Sequence, residues 1–440
     1  MFSAASGRRR WVVVAVNRLG EVAQAALTRV SMRRDIRGVI ALVVAACVLG
    51  PMNAPADAMS ASEYRFTKVA DSVEDGFSPF SFECSSINNR GDIAFRTARV
   101  PKGGSQLVQG IYRAAAGKRG LKTIAEFGDG FDFLSQIPSI NDGGQVAFAV
   151  SDFTQSGDEF IETKSIMRSS GGRPTTIATD ADGFTQFGFE PTINNYGTVA
   201  FNAQLVELDE FNNDQGLFSG RGDRFRPLTT NYRSSMSKFS EFSSLSRPSI
   251  NNHGAIAFQA SVDGEGPGIF RTDRYAPDGF RTIAAPDPNV NPGWPTFNEA
   301  GTVAFQRLFN DSANQELVTG TGGPLTVVTD VAGPYASFGQ IYGITPPALN
   351  ANGDVAFFAE LDAGGNGIFT GDDPVTDRVI GTGDRLDGET VVEQAGFLPG
   401  LRFCDESLND QGQLVLQVAF EDPRAPDGVR VAIYRATPRP

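Results

Sequence analysis

Asp-Gly-Phe at a shared place in three successive loops, Asp75, Asp129 and Asp182, is the first feature of this 440-residue chain whose type and placement suggest chemistry. Carboxylates repeated at equivalent places around a ring would offer the hard oxygen donors that Ca²⁺ favours. Asp-Gly is equally an ordinary turn maker, and Phe an ordinary plug between packed sheets. The stretches "SDFTQSGDEF" (151–160) and "ELDEFNNDQG" (207–216) add acidic loops, neither with EF-hand spacing. Support for catalysis is thinner. His253 is the sole histidine and sits at a variable position inside a predicted hairpin turn, which in practice excludes a Ser-His-Asp triad and a multi-histidine metal site. There is no phosphate-binding glycine loop and no G-x-S-x-G turn, and no carboxylate pair for glycoside hydrolysis stands out among the acids. Arg221-Gly222-Asp223 matches an adhesion tripeptide and is given no role.

The elements that would position these residues come from an internal repeat. "SINNRGDIAF", "SINDGGQVAF", "TINNYGTVAF", "SINNHGAIAF", "TFNEAGTVAF", "ALNANGDVAF" and "SLNDQGQLVL" align on Asn88, Asn141, Asn194, Asn251, Asn298, Asn350 and Asn409. A period near 50 residues signals a repeat architecture. Asn closes a turn through its own backbone and Gly takes positive φ, so each copy reads as a hairpin joining strands A and B. The alternation in "TVAFNA" places Val and Phe on one face and Ala on the other. Strand C follows, as in "GIYRAAAG" from Gly110, and strand D, as in "LKTIAEF" from Leu121. Four antiparallel strands per repeat make a propeller blade. The seventh copy stops after strand C, whereas "YRFTKVAD" (64–71) stands before the first copy and resembles strand D. An all-β, seven-bladed propeller is expected, the N-terminal strand completing the last blade in a three-plus-one closure.

Ring closure makes the first and last repeats neighbours, which brings Cys84 and Cys404 together although 320 residues separate them. A disulfide is expected there, two buried free thiols being the alternative. The asparagines themselves are read as structural turn residues.

The first 58 residues read as a signal peptide: Arg33, Arg34 and Arg37 precede the apolar run 39–49, and Ala56-Asp57-Ala58 follows. Met32 is an alternative start. Cys47 in Val44-Ala45-Ala46-Cys47 loosely fits a lipoprotein cleavage box, and Arg33-Arg34 is a weak twin-arginine match. Removing residues 1–58 takes away eight Arg and three acids and moves the formal charge from −13 to −18. So acidic a surface disfavours nucleic acid. Residues 59–440 are expected to form a single domain, a monomer without a transmembrane segment, secreted or periplasmic.

The formula N-x-x-G-x-x-A-F, broken only where Val415-Leu416 replace Ala-Phe, resembles the NxxGxxxAF tandem-repeat exported bacterial proteins over residues 64–438. That group has no assigned activity and often carries a C-terminal sorting signal, which "YRATPRP" does not match. More distantly, the hairpin is similar to the blades of TolB-type propellers, which places strand A innermost. The function expected is non-catalytic binding or scaffolding, with a glycan, peptide or envelope protein recognised on the variable acidic loops, Ca²⁺ as a candidate cofactor, and Asp75, Asp129 and Asp182 as binding residues. The alternatives are a carbohydrate-active lyase or hydrolase using Asp and Glu at the channel mouth, or a surface-structural protein.

Overall fold

A computed structural model describes residues 63–439 apart from 102–103, 129–130, 136, 157–158, 189, 206–214, 223, 231–241, 263, 274–278, 311–313, 341–342, 345, 397 and 426. Residues 1–62, which include the segment read as a signal peptide and Cys47, lie outside the described residues, as do the Asp129-Gly130 pair and Asp223. Residues Ala58–Pro440 form one compact unit, separate from Met1–Asp57.

That unit holds seven antiparallel sheets, each with four strands in the order A-B-C-D. Blade 1 is Ser85–Ile87, Ile93–Arg99, Val108–Ala114 and Leu121–Glu126. In every A-to-B turn the glycine of N-x-x-G sits at φ between 69° and 92° (Gly91, Gly144, Gly197, Gly254, Gly301, Gly353, Gly412), a region a side chain resists. Strand A is interrupted. In blade 3 its outer piece Phe184–Phe187 and its inner piece Thr192–Ile193 pair with the same strand B, Val199–Leu205. Five blades carry Pro three residues before the asparagine (Pro138, Pro191, Pro248, Pro295, Pro347), and a residue without an N–H cannot continue the ladder. One acidic stretch read as a loop is largely strand: Val146–Ser156 pairs with Glu159–Ser169 from Val146↔Ser169 to Ser156↔Glu159.

The core lies between blades. Ala147 and Ala149 of blade 2 pack with Phe184, Phe201 and Phe218 of blade 3, and Ala94 of blade 1 packs with Phe148 and Val146 of blade 2. An alanine on one blade leaves room for the neighbour's phenylalanine. Each buried Phe contributes about 2–3 kcal/mol.

Two devices close the ring. Tyr64–Asp71 pairs antiparallel with Val429–Pro438, giving the last blade its fourth strand. Buried Arg430 bonds Asp71 across this seam at 2.8 Å. Cys84 and Cys404 form a disulfide with Cα atoms 5.9 Å apart, as the closed ring requires.

Candidate functional site

The inner strands line a central channel whose levels can be counted from the repeated asparagine. At that level the seven side chains, 2–5% exposed, close a circle. Each Nδ2 donates to the backbone carbonyl of the next asparagine, Asn88 to Asn141 and onward to Asn409, which returns to Asn88, at 2.8–3.3 Å. Each Oδ1 meanwhile accepts the N–H four residues on at 2.9–3.0 Å, holding the turn. The amide thus serves two blades at once.

One residue later runs a polar rim of Asn89, Asp142, Asn195, Asn252, Glu299, Ala351 and Asp410. Six of the seven links are made, each side-chain oxygen accepting the preceding blade's backbone N–H at 2.7–2.9 Å. Ala351 has no oxygen to give the Glu299 N–H. Two residues before the asparagine, hydroxyls bond the next blade's carbonyl, Ser86 to Pro138 at 2.7 Å and Thr192 to Pro248 at 3.3 Å. Arginines on strand C add an outer staple: Arg113 and Arg435 donate to the Gly144 and Gly91 carbonyls of the following blade at 2.6 and 3.0 Å. Between rim and floor lies a chamber of about 170 Å³.

Four residues before the asparagine the blades differ: Cys84, Ile137, Glu190, Arg247, Trp294, Pro346 and Asp405. Arg247 of blade 4 reaches across the channel to bond Asp405 of blade 7, with both side chains 5–6% exposed. Glu190 lies 3.4 Å from its Nε and Glu406 3.5 Å from its Nη2. Glu406 also accepts a bond from the Ser139 hydroxyl of blade 2 at 2.9 Å. Asp405 and Glu406 border the floor of the chamber. Burial, reinforced by Asp405 and Glu190 and opposed by Arg247, pushes Glu406 up to about 7. Burial likewise raises Glu190. Burial works to lower Arg247, but Asp405, Glu190 and Glu406 together hold it above the ordinary arginine value. Three carboxylates about one guanidinium amount to a proton-holding, hydrogen-bonding centre in the middle of the ring.

The Asp-Gly-Phe residues sit elsewhere. Asp75 accepts the Asp71 N–H at 2.8 Å and Asp182 the Thr179 N–H at 2.8 Å, each within its own turn. Neither borders the channel chamber. Their phenylalanines are core: Phe77, Phe131 and Phe184 are 3–8% exposed, and Phe184 meets Phe218 edge-on at 4.9 Å. Among the described residues no group of three or more His, Cys, Asp or Glu is arranged to hold a metal ion. His253 is exposed, its Nδ1 3.4 Å from Glu299.

The family model for a family of unknown function, DUF7453, matches residues 65–275 and 268–439. The chain belongs to this family. No curated protein matches the DUF7453 chain. Among solved structures it is similar to prolyl oligopeptidase B from Galerina marginata (11% identity, TM-score 0.44, 82% of this chain and 47% of that one). It is also similar to a puromycin hydrolase (12%, 0.41, 79% and 59%) and to a puromycin-hydrolysing peptidase of Mycobacterium tuberculosis (10%, 0.42, 80% and 51%). The DUF7453 chain spans about half the length of these proteins, and the likeness is one of fold.

Sequence reasoning missed the cross-blade amide ring and the central charged cluster. The first left a signal, since a turn alone accepts Asp or Ser, whereas all seven positions are Asn.

Proposed function

We propose that the protein is an exported binding or scaffolding propeller that recognises a glycan, a peptide or an envelope protein through the face on which its irregular connections emerge. One contrast carries this reading. The A-to-B turns repeat one locked geometry on a face they share with C-to-D connections of four (221–224) to eight (370–377) residues, whereas the B-to-C connections opposite run from two residues (157–158) to nine (206–214). Variable loops on a rigid ring are a recognition design. The disulfide supports an oxidising compartment. The acidic composition disfavours nucleic acid. Among the described residues no helix is long and apolar enough to cross a membrane.

A second reading, a carbohydrate-active enzyme, is favoured by the buried acids around Arg247. Glu406, near 7, could deliver a proton to a leaving group. Incubation with a glycan array and with envelope extract, scored for retention and for new reducing ends, separates the readings. Retention without turnover supports the first. Turnover that Glu406→Gln abolishes replaces it with the second, and no retention on any surface defeats both.

A further inference from the structure

Trp294 has no part in the fold described so far. In blade 5 it occupies the register held by Arg247 in blade 4 and Glu190 in blade 3, so adjacent blades present Glu, Arg and Trp side by side. The Gly293 N–H bonds the Gln306 carbonyl at 2.8 Å and Pro295 follows, so its backbone is held on both sides. The residue is nevertheless 40% exposed. It does not border the hairpin-side chamber. Arg247 supplies the second observation. Its side chain is 6% exposed, and its Nε and Nη2 have ion-pair neighbours but no hydrogen-bond partner.

We propose that Trp294 and the Glu190, Arg247, Asp405 and Glu406 cluster form a binding site for one neutral sugar ring, entered from the loop face. The inference rests on the glycan reading above and narrows it to a place and a ligand class. A pyranose has an apolar C–H face that suits the indole and an edge of hydroxyls that both donate and accept. Those hydroxyls would give the carboxylates donors and the idle Arg247 N–H groups an acceptor, as charge-assisted bonds. A uronate would meet three carboxylates and one guanidinium. A cationic ligand would face Arg247 and leave its N–H groups unused.

The full chain with Trp11→Phe has Trp294 as its single tryptophan and reports directly on the site. It is titrated with glucose, galactose, mannose, N-acetylglucosamine and their β-linked oligomers, with galacturonate and N-acetylargininamide as counter-probes. The expected result is a saturable emission change with at least one neutral sugar and none with galacturonate. On the unlabelled protein, calorimetry should show affinity for that sugar falling roughly tenfold or more in Trp294→Ala and largely kept in Trp294→Phe. A change with argininamide but no sugar makes it a cation site and overturns the proposal. Array retention that Trp294→Ala leaves intact also overturns it, while glycan binding elsewhere stands. Absence of both emission change and array retention removes the site and the glycan reading together.

Discussion

Two levels of the same inner strands, four residues apart, follow opposite rules. At the asparagine level seven identical side chains do one job seven times, and the ring of amides they form is indifferent to which blade is which. At the level before it seven residues include a disulfide cysteine, an arginine, two acids and an exposed tryptophan, and one contact, Arg247 to Asp405, runs across the channel. Identity there is what a closed circle needs. Difference is what a site with one orientation needs, because a sevenfold hole cannot tell one side of a ligand from another.

The contrast can be broken at several points. Cys404→Ser should cost the most, about 5–6 kcal/mol on the chain-entropy account for a span of 320 residues, read as a lower denaturation midpoint that reductant no longer changes. Arg247→Met leaves three acids without a cation and should cost about 3–4 kcal/mol near pH 7.5. The loss should shrink at pH 5, where Glu406 holds its proton. Asn194→Ala removes the donor to Asn251 and the acceptor for Thr198, an expected loss of about 2–3 kcal/mol. If the level is as uniform as its geometry, Asn141→Ala costs the same; a twofold difference between the two would show that the ring is unequal.

Glu406 gives the contrast a pH axis. Its folded-state value, about 7, lies above the ordinary 4.5, so between those values the folded protein holds more protons than the unfolded chain and stability falls as pH rises. The loss should be on the order of 2–3 kcal/mol. Glu406→Gln should flatten that slope in melts recorded from pH 4.5 to 8. The smallest effect is a gain: Ala351→Asn supplies the missing rim acceptor to Glu299 and should stabilise by about 0.5–1 kcal/mol.

The sequence carried the periodic part of this molecule. Turn chemistry, strand alternation, the borrowed N-terminal strand and the Cys84–Cys404 pairing were legible because each recurs or follows from closing a ring of known period. The aperiodic part was hidden for the same reason. Glu190, Arg247 and Asp405 share one register of the repeat, but the residue type there changes from blade to blade and repeats nothing, so only the closed ring shows that they and Glu406 meet within 4 Å. Asp75 and Asp182 recur in sequence, yet each carboxylate bonds the backbone of its own turn, from four residues back in one case and three in the other.

The pairing of Tyr64–Asp71 with Val429–Pro438 also sets an order of events. A chain that emerges N-terminus first, from a ribosome or through a membrane pore, holds out its first strand with no partner until some 360 residues later. Six blades can form in passing, but the sheet that makes them a ring is assembled from the two ends of the thread. The molecule therefore stays an open arc until Val429–Pro438 is made, and the channel with its charged centre closes only when that strand meets Tyr64–Asp71.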